Sequence, residues 1–200
     1  MIKVTSGLIN NKIVAFVMVC LLSVMLACDV AIAKQIAFVN NLPRQQTFHF
    51  CKANTQPTFE VAFSPNQGAT KLITSTIKEA KKYIYVAAFS LTSQEIADAL
   101  VGAKKRGIEV RVIVDKRQNK DMHSKSTFLK KNHALVRISN RNLMHNKYMI
   151  IDGETLQLGS FNYSINAESK NAENVLVIHN SPDLVSLYLN EWQKLWDKAK

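Results

Sequence analysis

The sequence is poor in the residues that define small disulfide-rich or repetitive proteins. Its 200 residues include only three Cys, four Pro and six Gly. Three Cys are too few for a disulfide framework, and so little Gly and Pro excludes collagen-like and low-complexity chains. No internal repeat is visible, which argues against solenoids and propellers. Because 47% of the residues are hydrophobic, the chain can still bury the core of one ordinary domain.

Acidic residues are also scarce. Asp and Glu total 15 against 26 Lys and Arg, which gives a formal net charge of +11. This balance argues against a calcium-binding protein and favours a polyanionic partner, either a nucleic acid or an anionic membrane surface. The chain contains no H-E-x-x-H and no C-x-x-C pattern. It therefore predicts neither a metal site nor a cofactor.

Residues 1–33 are typical of an export signal. The segment begins with two Lys, continues with an almost wholly apolar stretch over 13–27, and ends in the small-x-small pattern Ala31-Ile32-Ala33. Such a stretch is shorter than the roughly 20 residues that span a bilayer. We expect cleavage after Ala33 and a periplasmic or secreted protein. The alternatives are an uncleaved N-terminal anchor and lipid attachment at Cys28, and only these would link the protein to a membrane.

The part of the chain that follows the signal divides at Thr58. Residues 34–57 show no clean period and indicate a loosely ordered leader, whereas 58–200 are expected to form the functional domain. Removal of the signal leaves Cys51 as the one remaining cysteine. This cysteine is either a half-buried free thiol or a bridge between two subunits.

From Thr58 onward, strand and helix periodicities alternate. Strands are predicted at 58–63, 83–89, 110–114, 134–138 and 173–178, with two more inside 147–158 around a turn at Asp152-Gly153. Helices are predicted at 69–82, from a capping box at Thr92 and Glu95 to a stop at Gly107, at 126–132, and after Ser181 and Pro182. The alternation predicts an α/β domain with a mixed, mainly parallel sheet flanked by helices on both faces.

One constellation of residues carries the chemistry. Six residues at fixed spacing form it: His145, Lys147, Asp152, Gly159, Ser160 and Asn162. Residues two apart on an extended segment share a face, so two adjacent strands would bring an imidazole, an ammonium, a hydroxyl and a carboxamide together. His145 would supply a nucleophile or base. Lys147 would bind a phosphate by charge, and Ser160 and Asn162 would bind it by hydrogen bonds.

This pattern resembles the signature of the phospholipase D superfamily, and the resemblance extends from Thr58 to the C-terminus. More narrowly, the chain is similar to small exported bacterial endonucleases of that superfamily with one motif copy. The resemblance implies an α-β-α sandwich in which a histidine attacks a phosphodiester and water cleaves the resulting phosphohistidine. It implies that His145 is the nucleophile, that Lys147 and Asn162, with Ser160, bind the phosphate, and that Asp152 and Gly159 support the hairpin.

Glu173 is a further candidate that the resemblance brings in. The family places an acid after the second strand of the motif, where this chain has Asn171-Ala172-Glu173-Asn174. A carboxylate on one imidazole nitrogen would fix the tautomer and leave the other nitrogen free to attack. The alternative is that Glu173 is a solvated strand end.

A single motif leaves the leaving group without an acid, which cleavage needs. Only one H-x-K in the chain, that of His145, is followed by the rest of the signature, which the other histidines, His49, His123, His133 and His179, lack. We therefore predict a homodimer in which the two copies of His145 meet at a twofold axis. One ring would be neutral and attack, the other would be protonated and donate, and no metal would take part.

The distribution of positive charge favours nucleic acid as the substrate. Lys116, Arg117, Lys120 and Lys125 cluster in one loop, and Lys130, Lys131, Arg137 and Arg141 follow. Phosphate contacts of this kind bind without sequence specificity, and we expect no second domain that could shape an acyl-chain pocket. The prediction is a nonspecific nuclease acting on DNA or on RNA. The alternatives are a hydrolase of anionic phospholipids and an inactive DNA-binding module.

Overall fold

The computed structural model describes residues 56–200, which contain seven strands and five helices. The strands are β1 (Thr58–Ser64), β2 (Tyr83–Ala88), β3 (Glu109–Val114), β4 (Leu135–Ile138), β5 (Lys147–Ile151), β6 (Thr155–Gly159) and β7 (Glu173–His179). The helices are α1 (Ala69–Glu79), α2 (Gln94–Lys105), α3 (Ser126–Lys131), α4 (Ile165–Ser169) and α5 (Pro182–Lys198), with one 3₁₀ turn at Gln118–Lys120. The expected signal at 1–33, Cys51 and nearly all of the leader at 34–57 lie outside the described residues.

The strands form one mixed sheet in the order β1-β7-β6-β5-β2-β3-β4. The mixed α/β class with helices on both faces is confirmed, but the expected excess of parallel pairs is not found. Only β2–β3 and β3–β4 are parallel, while the other four neighbouring pairs are antiparallel. The reason is the connections: α2 and α3 are crossover helices that keep successive strands parallel, whereas a tight turn reverses β5 into β6.

Two apolar layers hold the helices on the sheet. On one face α1, α2 and α3 bury side chains such as Ile73, Leu100 and Leu129 against the strands. On the other face α5 buries Trp192 and Trp196 against the central strands. The indole nitrogen of Trp192 donates to the carbonyl oxygen of Val86 at 3.1 Å, so this large side chain is both buried and hydrogen-bonded. No helix within 56–200 is long and apolar enough to cross a bilayer.

Two predicted helix boundaries are wrong, each because of a distant contact. The first helix ends at Glu79 and not at Lys82, since the backbone N–H groups of Lys81, Lys82 and Tyr83 bind the Asp152 carboxylate. The second helix begins after Ser93, whose hydroxyl accepts from the N–H of Ile96. The N–H of Thr92 instead donates to the carbonyl oxygen of Tyr163 at 2.9 Å.

Strand β1 is an edge strand with an unusual apolar pattern. Its alternation is as predicted, but Phe59, Val61 and Phe63 are more than half exposed, while Ala62 and Ser64 face the core. The alternation therefore identified the strand correctly and said nothing of which face would be covered.

Candidate active site

The predicted site residues converge on one end of the sheet. Residue Lys147 opens β5 and pairs with Ala88 at the end of antiparallel β2. Gly159 closes β6, beside the start of β7. Strand β5 begins where its antiparallel neighbours β2 and β6 end. The segments 145–147 and 159–162 and the first residues of β7 therefore lie together at this end of the sheet, which we call the catalytic edge.

His145 and Lys147 are in direct contact. The Nζ of Lys147 lies 3.1 Å from Nδ1 and 3.3 Å from Nε2 of the His145 ring. The same ammonium donates to the His145 carbonyl oxygen at 2.8 Å, which fixes it beside the ring. A neutral imidazole can accept a hydrogen bond from an ammonium, so the pair places an exposed imidazole beside an amine that can bind an anion.

Phe89 supports both side chains, and sequence analysis did not identify it. Its ring centroid lies 4.4 Å from that of His145, with the rings tilted by 55°. The Lys147 ammonium lies 5.2 Å from the Phe89 ring centre, and the Phe89 N–H donates to the carbonyl oxygen of Asn146 at 2.8 Å. The available signal was its position directly after β2, next to the strand that carries the H-x-K pattern.

Lys147 sits in an electrostatically mixed environment. Partial burial lowers the pKa of its ammonium, and the nearby Glu173 carboxylate acts in the opposite direction. The larger effect is desolvation, which disfavours the charged form. The Lys147 ammonium therefore loses its proton more readily than that of an exposed lysine.

Ser160 is held so that its hydroxyl proton stays available. Its Oγ accepts from the Asn174 N–H at 3.1 Å, and its own N–H donates to the Asn174 Oδ1 at 3.2 Å. An oxygen that already accepts can still donate its proton to a phosphate oxygen. This arrangement requires Gly159, which has φ 152° and where an added Cβ would lie 2.2 Å from the Asn174 carbonyl oxygen.

Asn162 lies between two buried aromatic residues, Phe161 and Tyr163. Its side-chain oxygen is buried and, among the described residues, has no hydrogen-bond partner. Buried polar atoms in native structures are nearly always paired. The carboxamide is therefore a group that a bound ligand or water could complete.

Glu173 is placed at the site but not on the histidine. Its carboxylate accepts from the Asn171 side-chain amide at 3.0 Å, and no hydrogen bond to His145 exists within residues 56–200. The structure brings Glu173 into electrostatic contact with Lys147 instead. Its expected role in orienting the imidazole stays a prediction.

Asp152 lies at the far end of the hairpin from His145. Its carboxylate accepts three backbone N–H groups, from Lys81, Lys82 and Tyr83, at 2.7 to 2.9 Å. Both Asp152 and Gly153 have positive φ, at 57° and 81°, as a tight hairpin turn requires. Asp152 therefore ties the β5–β6 hairpin to the start of β2 without facing the catalytic edge.

A family model described as "Cardiolipin synthase, PLD-like domain" matches residues 73–196. This chain belongs to the phospholipase D-like family. A protein of Rickettsia prowazekii named "Phospholipase D" is 30% identical over 193 residues, 92% of each chain. The crystal structure of a phospholipase D family member, Nuc from Salmonella typhimurium, matches with a TM-score of 0.70 and 36% identity, over 72% of this chain and 97% of that one.

NucT from Helicobacter pylori matches with a TM-score of 0.66 and 25% identity, over 72% of this chain and 98% of NucT. These likenesses identify the chain as a phosphodiesterase hydrolase of the phospholipase D-like family. The resemblance inferred from the H-x-K motif is thereby confirmed, while the roles of individual site residues stay predictions.

The basic loop of this phospholipase D-like protein is anchored to the catalytic edge by Asp115. This fully buried carboxylate accepts from the N–H of Arg117 at 2.8 Å on one oxygen and from the N–H of Met144 at 2.9 Å on the other. Met144 directly precedes His145. Sequence analysis missed Asp115, although an acid directly after the buried run 110–114 was a signal.

The predicted basic residues do not all remain available for a ligand. Arg117 and Lys120 are exposed, and Lys116 and Lys125 are partly exposed in the loop after β3. Arg137 instead donates to the Trp196 carbonyl oxygen at 2.9 Å and lies 4.4 Å from that indole ring, so its guanidinium serves the packing of α5. Within 56–200 there is no group of three or more His, Cys, Asp or Glu arranged to hold a metal.

Proposed function

We propose that this phosphodiesterase is a sequence-nonspecific endonuclease that cleaves DNA without a metal. The observation that carries the proposal is the attachment of the basic loop to the residue before His145 through Asp115. Lysine and arginine side chains that bind backbone phosphates would thus deliver a polyanion directly to the nucleophile. The likeness to Nuc and NucT, which spans nearly the whole of each, supports the single-motif endonuclease branch that the sequence resembles.

The proposed reaction has two steps. A ring nitrogen of His145 bonds to phosphorus as the bond to the leaving oxygen breaks, and the leaving alkoxide takes a proton from the partner subunit's His145. Water then attacks phosphorus, breaks the phosphorus–nitrogen bond and returns a proton to the second histidine. Lys147, Ser160 and Asn162 bind the non-bridging oxygens and neutralise the charge that develops on them.

A second candidate is hydrolysis of an anionic phospholipid. It is favoured by the description of the matching family model and by the name of the Rickettsia prowazekii relative. The same nucleophile and phosphate-binding groups would serve, because both substrates are phosphodiesters.

One experiment separates the candidates. The protein is incubated with plasmid DNA and, separately, with cardiolipin or phosphatidylcholine vesicles, always in excess EDTA, and His145→Ala is run alongside. We expect plasmid degradation that EDTA does not stop and that the variant loses by at least about a thousandfold. Vesicle hydrolysis with intact plasmid would favour the lipid candidate, and DNA binding without cleavage of either substrate would favour an inactive binding module. Activity that EDTA abolishes and metal restores would contradict the metal-free mechanism.

A further inference from the structure

A cavity lined mainly by polar residues lies near the catalytic edge. It has a volume of about 300 Å³ and is lined by Thr92, Asp121, His123, Lys125, Ile165 and Asn166. Three segments contribute: the residues after β2, the loop that leads into α3, and the first turn of α4. Of these six side chains, only Lys125 belongs to the set that the sequence predicted to bind nucleic acid. We call this cavity the side groove.

Backbone hydrogen bonds link the segments that line the side groove to the segments that carry the site residues. The carbonyl oxygen of Tyr163 accepts from the N–H groups of both Thr92 and Ser93 at 2.9 Å, and the Lys125 N–H donates to the Leu91 carbonyl oxygen at 2.9 Å. Tyr163 is itself buried, and its hydroxyl donates to the side-chain oxygen of Gln157 at 2.7 Å. This bond holds the Tyr163 backbone in place beside the groove.

Leu91 and Tyr163 are each close in the chain to a residue of the site. Leu91 follows Phe89, which packs on His145, by two residues, and Tyr163 directly follows Asn162. The backbone beside the side groove is therefore an extension of the two segments that carry the site residues, and this places the groove close to His145.

The lining of the groove can bind both the polar and the apolar parts of a nucleotide. Lys125, His123, Thr92 and Asn166 can donate hydrogen bonds to phosphate or sugar oxygens. Ile165 is 63% exposed and Met122, beside His123, is 89% exposed, so apolar surface is available for a base. Asp121 accepts from the His123 N–H at 2.8 Å through its Oδ1, which holds the loop in this shape.

We infer that the side groove is a second substrate subsite, which binds the nucleotide adjacent to the scissile phosphate of a polynucleotide strand. This inference rests on the proposed nuclease function and deepens it. A polymer continues past the reacting phosphate and needs a surface beyond it, and five of the six lining residues carry polar groups that can bind sugar and phosphate oxygens.

The test compares a substrate that reaches the groove with one that cannot. For each protein kcat/KM is measured with a 12-nucleotide oligonucleotide and with bis(p-nitrophenyl) phosphate, which is only large enough for the catalytic site. The variants are the double substitution His123→Gln with Lys125→Gln, and Ile165→Ser. Lys105→Gln is the matched control, because Lys105 is an exposed lysine in the last turn of α2, at the opposite end of the fold.

We take the ratio of kcat/KM for the oligonucleotide to kcat/KM for bis(p-nitrophenyl) phosphate. This ratio should fall about tenfold in the double variant, because one to two charge-assisted contacts are lost. A smaller fall of about threefold is expected in Ile165→Ser. The control should keep the ratio of the unaltered protein. Ratios that stay constant in both groove variants would overturn the inference while leaving the nuclease intact. An unaltered protein that hydrolyses bis(p-nitrophenyl) phosphate but never the oligonucleotide would overturn the proposed function, and the subsite with it.

Discussion

A buried carboxylate that binds the backbone of the residue before His145 shows how a single side chain can position a site. Asp115 has no exposed surface, yet its charge is compensated by backbone N–H donors from Arg117, Gln118 and Met144. Carboxylates are rarely fully buried unless they are paired in this way. The two oxygens serve two segments, so the geometry of the basic loop and that of His145 depend on the same group.

Asp115→Asn is therefore expected to weaken folding and catalysis together. The amide nitrogen would face one of the backbone N–H donors, and leaving that donor unpaired costs about 1–3 kcal/mol of unfolding free energy. Displacement of Met144 should lower kcat on bis(p-nitrophenyl) phosphate about tenfold. Urea unfolding and steady-state kinetics measure the two effects. Asp98→Asn, an exposed carboxylate on α2, is the control, and equal results for both variants would contradict the positioning role.

Lys147 should make phosphate binding at the site depend on pH. Its ammonium is the form that binds a phosphate, and burial lowers the pKa of this group below that of an exposed lysine. The charged fraction therefore declines at a lower pH as the solution becomes alkaline. Arginine stays protonated over the accessible range but has a different shape.

Lys147→Arg should accordingly reduce the maximal kcat/KM yet move the alkaline limb of the pH profile upward. The measurement is kcat/KM on bis(p-nitrophenyl) phosphate from neutral pH to pH 10.5, with Lys147→Gln as the uncharged control, which should lose most activity throughout. An alkaline limb at the same pH in the arginine variant would show that another group controls it.

At the scale of elements, the β5–β6 hairpin carries the motif between two anchored ends. Its catalytic end carries His145 and Gly159, and its turn end carries Asp152, seven residues from His145 and thus roughly 20 Å away along an extended chain. The three N–H bonds of Asp152 hold the turn to the start of β2. The Asp152 carboxylate therefore stabilises the fold at a distance from His145.

Asp152→Ala should destabilise the protein by about 2 kcal/mol, because three N–H groups lose a charged acceptor at a partly exposed position. The folded fraction should keep kcat within about threefold, since no catalytic group moves. Thermal unfolding and kinetics below the transition test this, with Glu154→Gln in the same turn as control. A large loss of kcat in a variant that is still folded would place Asp152 in the catalytic mechanism.

The elements also show what the sequence could predict. Local periodicity predicted all seven strands and the four longer helices, and six fixed residues identified the motif. The five-residue helix Ile165–Ser169 was too short to leave a periodic pattern. The end of α1 and the start of α2 were wrong because Asp152 and Tyr163, about 70 residues away, bind the backbone there. Asp115 and Phe89 were missed because their roles arise only when separate strands become neighbours.

At the scale of the whole molecule, the proposed reaction needs an acid that one copy of the motif does not supply. His145 is exposed at this end of the sheet, and the described chain carries one complete copy of the signature that begins at His145. A neutral imidazole can attack phosphorus, but an acid is still needed for the leaving group. A second copy related by a twofold axis would supply an identical histidine in a different protonation state.

If, as we propose, two subunits share each site, then inactive subunits should inactivate the unaltered subunits with which they pair. Unaltered protein is mixed with a ninefold excess of His145→Ala and left until subunits exchange, which light scattering and a mass tag on one partner can follow. Since only about one unaltered subunit in ten then meets another, activity per unaltered subunit should fall about tenfold. Because Lys105→Gln leaves the site intact, the same excess of Lys105→Gln should leave the activity per total subunit unchanged. Two results would contradict a site built from two chains: constant activity with His145→Ala after proven exchange, and full activity of a strictly monomeric species. In either case the proton for the leaving group would have to come from within one subunit.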